Sequence, residues 1–223
     1  MNYIIVPAYN EGKVIRSTLE ELQHTGYKQI IVIDDCSSDN TVKEANDYAT
    51  ILKHDVNKGQ GAALRTGIEY ALKNGATKII TFDSDGQHDP KDVEKILQKL
   101  DEFEVVLGSR FIGKTTNLPL FRRIMLKGSV VLCKLFYGLK LTDSHNGLRG
   151  FRAESASKIN ITENRMLHAS EILQRISEKK LSYTEVPVHI RYTEYSLKKG
   201  QSVWNAFNIL KGMIRLKVYS KQE

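Results

Sequence analysis

Lys78-Ile79-Ile80-Thr81-Phe82-Asp83-Ser84-Asp85-Gly86-Gln87-His88-Asp89-Pro90 decides the fold, because an apolar run of strand length is followed at once by two carboxylates one residue apart. Asp83 and Asp85 therefore stand at the carboxyl end of a strand, where open α/β sheets bind ligands. Hard divalent cations such as Mg²⁺ and Mn²⁺ take carboxylate oxygens and share their coordination shell with substrate phosphates. A metal-bridged nucleoside diphosphate is the first hypothesis. The bland alternative is an Asp-rich turn in which Asp89-Pro90 opens a helix near Lys91, and the two carboxylates alone do not separate the readings.

Working outward, Ile- and Val-rich runs recur at 3–6 and 29–33, with a weaker one at 50–54, separated by helical spacing such as Val14, Ile15, Leu19 and Leu22. Runs apolar on both faces predict a mostly parallel sheet covered by helices on each side. Beyond Asp101 we expect a strand at 104–108, a basic but apolar helix at about 119–138, a loop at 142–151, helical spacing around 168–179, a strand at 183–191, a polar stretch at 192–201 and a last helix at about 202–218. Asp34 and Asp35 end the second strand, where a carboxylate can bind a base or ribose or simply satisfy turn amides; Asp39 reads as a helix cap. Gly59 and Gly61 permit positive φ or close approach to a ligand, as glycines in any tight turn do. Gly59-Gln60-Gly61 opens like a dinucleotide fingerprint but has Leu64 where the third glycine belongs, and it does not follow the first strand.

Taken in order, Val6-Pro7-Ala8-Tyr9-Asn10-Glu11, Asp34-Asp35-Cys36-Ser37-Ser38-Asp39, Asn57-Lys58-Gly59-Gln60-Gly61, Asp83-Ser84-Asp85-Gly86-Gln87-His88 and Gly108-Ser109-Arg110-Phe111 resemble the glycosyltransferase family 2 enzymes of GT-A fold, nearest their dolichol-phosphate mannose synthase-like branch. The resemblance spans roughly residues 3–200. It implies a GT-A catalytic domain over 1–200, with a nucleotide-sugar half to about 110 and an acceptor half after it. By position it implies that Pro7, Ala8, Tyr9, Glu11, Asp34, Asp35, Lys58, Gly61, Asp83, Ser84 and Asp85 bind the nucleotide sugar, and that Asp85, Gln87 and Asp83 hold Mg²⁺ or Mn²⁺. On the acceptor side Arg110, Arg122 and Lys199 correspond to the polyprenyl-phosphate site, Lys199 in uncertain register with Lys198. The implied reaction is inverting transfer from a nucleoside-diphosphate sugar to polyprenyl phosphate or a polyprenyl-linked glycan, in cell-surface glycan synthesis. The chain departs from the branch at Leu126, in place of a small hydroxyl residue, and in Asn146-Gly147-Leu148-Arg149-Gly150-Phe151. A sugar hydroxyl acceptor would need a general base, for which Asp143 and Glu171 are the first carboxylates to consider. His145 and His168 read as loop or packing histidines. Arg and Lys along 119–138 could equally be the solvated side of an amphipathic helix.

At 223 residues, 41% hydrophobic and 26% charged, the chain fits one domain, and its net charge of +7 suits an anionic partner. A nucleotidyltransferase would also use carboxylates and a metal, but releases pyrophosphate. An RNA-binding module lacks support, because aromatics are 8% of the chain and show no stacking pattern on strands, so no nucleic-acid partner is expected. Cys36 and Cys133 have no metal or redox spacing and read as reduced thiols. With no leader and no uninterrupted apolar span, the expected location is the cytoplasm, peripheral to the inner face of the membrane. Residues 201–223 carry Val203, Trp204, Phe207, Leu210, Met213 and Ile214 at helical spacing beside Lys211, Arg215 and Lys217. That stripe is expected to meet a membrane, a small membrane protein partner or its own domain.

Overall fold

The computed structural model describes residues 1–199. In chain order the elements are β1 (Asn2–Ala8), α1 (Ile15–His24), β2 (Ile30–Asp34), α2 (Thr41–Ala45), β3 (Thr50–Lys53), α3 (Gln60–Lys73), β4 (Lys78–Thr81), α4 (Asp92–Lys99), β5 (Val105–Thr116), α5 (Leu120–Tyr137), β6 (Arg149–Arg152), α6 (Ala153–Ile159), α7 (His168–Glu178), β7 (Tyr183–Arg191) and α8 (Glu194–Lys199). The expected C-terminal stripe of 201–223 lies outside the described residues.

One seven-stranded sheet runs in the order β3-β2-β1-β4-β6-β5-β7. β1 pairs in parallel with β2 and β4, and β5 with β7, whereas β6 is antiparallel to both β4 and β5. Side chains alternate across a strand, so Tyr3 and Ile5 bury into one core while Ile4 and Val6 bury into the other. The first core is closed by Leu64 and Ile68 of α3, Cys133 of α5 and Ile172, Leu173 and Ile176 of α7. The second is closed by Ile15, Leu19 and Leu22 of α1 and Val93 and Ile96 of α4. Each fully buried aliphatic chain contributes about 1.5–3 kcal/mol, which makes this double-faced burial the main reason the runs form strands.

The boundaries of α5 follow from its flanks. Pro119, extended at ψ 140°, precedes the first turn, and Gly138 takes the left-handed conformation at φ 71° that ends the helix and lets its N–H reach Lys134 O. The stretch 142–151, expected to be loop throughout, instead ends in β6. Residues 192–199, expected to be irregular, contain α8.

Candidate active site

Because β1 is flanked by two parallel strands, the loops after β1, β2 and β4 open on one edge, the switch point of such a sheet. They line a cavity of about 740 Å³. Ser84 Oγ donates to Pro7 O at 2.8 Å and ties the loop after β4 to the loop after β1. Thr81 Oγ1 donates to Gly147 O at 2.7 Å and ties the same strand to the segment entering β6. Both joins are side chain to backbone, so the walls are set by residue identity as well as by the sheet.

Asp83 is held by both oxygens, Oδ1 by Gln60 Nε2 and Oδ2 by His88 Nε2, each at 3.0 Å. Burial would raise its pKa, but the His88 hydrogen bond, with the charges of His88, His168 and Arg149, holds it below the usual carboxylate range. Asp85 Oδ1 accepts the Gln87 N–H at 3.1 Å. Burial and the Asp83 charge beside it push the Asp85 carboxyl up to about 6. Two carboxylates pressed together at this cost are a donor set that a divalent cation would relieve, and the residues fit Mg²⁺ or Mn²⁺ in chemistry. Among the described residues no cluster of three His, Cys, Asp or Glu stands ready for a metal, which leaves room in its shell for Gln87, substrate oxygens and water.

Pro7, Ala8, Tyr9, Glu11, Asp35 and Ser84 also line the cavity. Tyr195 of α8 donates to Glu11 Oε2 at 2.8 Å, so the segment after β7 reaches over the end of β1. Asp35 is more committed than the sequence reading allowed: its carboxylate accepts the N–H groups of Lys58 at 2.9 Å and Gly59 at 2.6 Å and meets His54 Nδ1 at 2.7 Å. It shapes the 57–60 loop as well as facing the cavity. Asp34, Lys58 and Gly61 do not line the cavity. Asp34 is buried and accepts from Ser37 N, the turn role weighed against ligand binding. Lys58 enters through its backbone alone among its described contacts, and a methyl group on Gly61 would collide with Glu163 O.

Arg110 and Arg122 both line the cavity. Arg110 donates through Nε to Asp143 at 2.6 Å, through Nη1 to Tyr192 Oη at 2.6 Å and through Nη2 to His145 O at 2.7 Å. Arg122 stacks over the Tyr192 ring, 5.1 Å from its centroid. Of Lys199 only the backbone, in α8, is described. The two carboxylates considered as bases are off the cavity. Asp143 is buried behind Arg110, and Glu171 is buried on α7, where it accepts bonds from Thr162 and Glu163. His145 does line the cavity, but burial and the Arg149 charge hold its pKa down to about 4, which makes it a weak base.

Sequence reasoning gave no role to Gln60, His88, Arg149, Arg165, Met166 or Leu167. Gln60 and His88 stood inside quoted motifs and could have been singled out. Nothing in the spacing around 165–167 marks a site.

The description "Glycosyl transferase family 2" belongs to the family model that matches residues 3–159. A UDP-N-acetylglucosamine–dolichyl-phosphate N-acetylglucosaminyltransferase of Methanococcus voltae is 36% identical, over 97% of this chain and 96% of its own length. A polyprenol monophosphomannose synthase of Mycolicibacterium smegmatis is 27% identical over 96% of this chain and 84% of its own. Among solved structures, the UDP complex of glucosyl-3-phosphoglycerate synthase from Mycobacterium tuberculosis superposes with a TM-score of 0.74 at 15% identity, over 97% of this chain and 80% of that one. That likeness carries the fold.

Proposed function

The chain belongs to glycosyl transferase family 2, and from that premise we propose that it transfers a sugar, with inversion, from a nucleoside-diphosphate sugar to the phosphate of a polyprenyl lipid. The observation that carries this reading is the pairing of groups on one cavity: Asp83 and Asp85 on one wall, Arg110 and Arg122 on another, with both carboxylates considered as bases buried elsewhere. A phosphate oxygen is already anionic at neutral pH and attacks without a base. A sugar hydroxyl is not, and His145 is too weak a base to serve it well.

Asp85 and Asp83, with Gln87, would hold Mg²⁺ or Mn²⁺, which when bound supplies charge stabilisation to the departing diphosphate. The glucosyl-3-phosphoglycerate synthase was crystallised with Mn²⁺ and UDP-glucose, which supports a metal in this fold. Gln60 and His88 keep the Asp83 carboxylate in one orientation. Arg122 and the two guanidinium N–H groups that Arg110 does not commit to Asp143, Tyr192 and His145 can receive the acceptor phosphate. The M. voltae enzyme's name specifies a dolichyl-phosphate acceptor, which supports the same choice here.

No helix among the described residues is long and apolar enough to cross a membrane. Leu120, Phe121, Ile124, Val131 and Leu135 of α5 are exposed nonetheless, on the helix that carries Arg122, Arg123 and Lys127. An apolar, basic helix beside the cavity fits peripheral docking at a membrane where a lipid-linked acceptor lies.

The test is incubation of the full chain with UDP- and GDP-sugars, polyprenyl phosphate and Mg²⁺ or Mn²⁺, reading the released nucleotide and the lipid product together. A nucleoside diphosphate and a sugar phospholipid are expected. Pyrophosphate release would point to nucleotidyl transfer, and transfer to a glycan hydroxyl with none to lipid phosphate would defeat the acceptor assignment.

A further inference from the structure

Residues 161–167, between α6 and α7, bring Arg165, Met166 and Leu167 to the cavity wall. Their backbone is fixed from two sides. On one side Glu171, 1% exposed, accepts bonds from Thr162 N at 3.0 Å, from Thr162 Oγ1 and from Glu163 N at 2.9 Å. On the other, Ala62 N donates to Asn164 O at 3.1 Å, and Arg65 donates to Ile161 O and Asn164 Oδ1, each at 3.2 Å. Gly59 and Gly61 let the two segments touch, since a side chain at either would strike the Glu163–Arg165 backbone.

The segment beneath this wall is the 57–60 loop with the first turn of α3. It is tied to Asp35 through the Lys58 and Gly59 N–H groups and reaches Asp83 through the Gln60 side chain. The acceptor arginines come from β5 and the start of α5 instead. Arg165 is exposed and its guanidinium makes no hydrogen bond or ion pair among the described residues, while the half-buried Met166 offers a deformable thioether chain. A cation with free donors beside soft apolar surface matches a sugar, whose hydroxyls accept hydrogen bonds and whose ring carbons or acyl substituent pack.

We propose that Arg165, Met166 and Leu167 read the sugar of the donor, and that Glu171 is a positioning residue that holds this wall in place. The inference rests on the cavity being a nucleotide-sugar site. It gives a buried carboxylate, first considered as a base, a different task.

Calorimetry on the full chain with Mg²⁺ separates the two ideas, using UDP, UDP-glucose and UDP-N-acetylglucosamine, and GDP with GDP-mannose and GDP-glucose. For Met166→Ala and Arg165→Gln, affinity for the bare diphosphate should stay within about twofold of wild type, while the ratio of affinities for two sugars on one base shifts by about tenfold, the scale of a lost side-chain contact. Met166→Leu should keep the wild-type ratio. Glu171→Gln, checked for folding by circular dichroism, should shift the ratio although it does not line the cavity. Unchanged ratios in Met166→Ala and Arg165→Gln, or equal losses for diphosphate and sugar conjugate, would overturn the inference while the site reading stands. No binding of any diphosphate by wild type would overturn both.

Discussion

Asp143 grips Arg110 twice, accepting its Nε at 2.6 Å and its backbone N–H at 3.1 Å, with both side chains buried. Removing the carboxylate would leave a guanidinium buried without its counter-charge, and breaking such a pair costs about 3–5 kcal/mol. Asp143→Ala is therefore expected to lower the urea midpoint markedly, whereas a catalytic base on the surface of the cavity would cost activity and little stability. Unfolding curves beside single-turnover rates distinguish the two. Full stability with lost transfer would restore Asp143 as a base.

Gly147 gives a sharper separation of fold from function. A methyl group there would collide with the Asp83 carboxylate, which Gln60 and His88 hold from the other directions. Gly147→Ala should therefore displace a carboxylate whose orientation the site fixes through both of its oxygens. The expected result is a kcat loss of about a hundredfold, as when an electrostatic contact to the transition state is removed. Overpacking costs roughly 1–3 kcal/mol, which thermal unfolding should register without loss of the fold.

The positions of these groups were only partly legible in the sequence. β1, β2 and β4 were visible because their residues are apolar on both faces, β7 because Val186, Val188 and Ile190 alternate with polar residues and Pro187, and α5 because Pro119 and Gly138 bracket it. β6 was not, since Arg149-Gly150-Phe151-Arg152 has charged ends, a glycine and only four residues. Its place between β4 and β5 is set by long-range pairing, Ile79 with Phe151 and Val106 with Gly150, which no local pattern encodes. The same limit applies to the site. Asp83 and Asp85 announce themselves through spacing, but the burial of Asp143 and Glu171 depends on partners 33 and 9 residues away.

His145 and His168 make the fold sensitive to acid. Burial, reinforced by the Arg149 charge, holds both near pKa 4 in the folded chain, against an ordinary histidine value of 6.5. Below pH 6.5 the unfolded chain binds the extra protons, so their contribution is complete above 6.5 and is lost as pH falls towards 4. Asp85 acts with the opposite sign, since its raised pKa of about 6 favours the folded state at low pH and that contribution is lost as pH rises from 3.8 to 6. Two histidines against one carboxyl give a net fall in stability on acidification from pH 6.5 to 4. Urea midpoints across this range measure it, and His168→Gln should flatten the slope.

Asp85→Asn should remove transfer and yet raise metal-free stability at pH 7, because it deletes a charge that burial and Asp83 disfavour. The gain is on the order of 1–2 kcal/mol. Millimolar Mg²⁺ or Mn²⁺ should then stabilise wild type and leave the variant unmoved, since only a state that binds the ligand is stabilised by it. Thermal unfolding with metal and with chelator tests this. Equal metal shifts in both proteins would take Asp85 out of the metal site.

Arg122 offers the cleanest test of the acceptor. It stacks 5.1 Å from the Tyr192 ring centroid at the start of α5, on the helix whose apolar residues are exposed. Arg110, by contrast, is tied to Asp143, Tyr192 and His145, so its loss would disturb the structure as well. A hydrogen bond to a charged group contributes about 1.5–3 kcal/mol, so Arg122→Ala should raise the KM for polyprenyl phosphate roughly ten- to a hundredfold. Arg122→Lys keeps the charge but loses the planar fork that suits phosphate, and it should recover only part of that loss. Sugar-nucleotide affinity, measured by calorimetry without acceptor, should stay at the wild-type value in both variants. If it falls in step with the acceptor KM, Arg122 serves the donor diphosphate, and the lipid phosphate must be bound elsewhere.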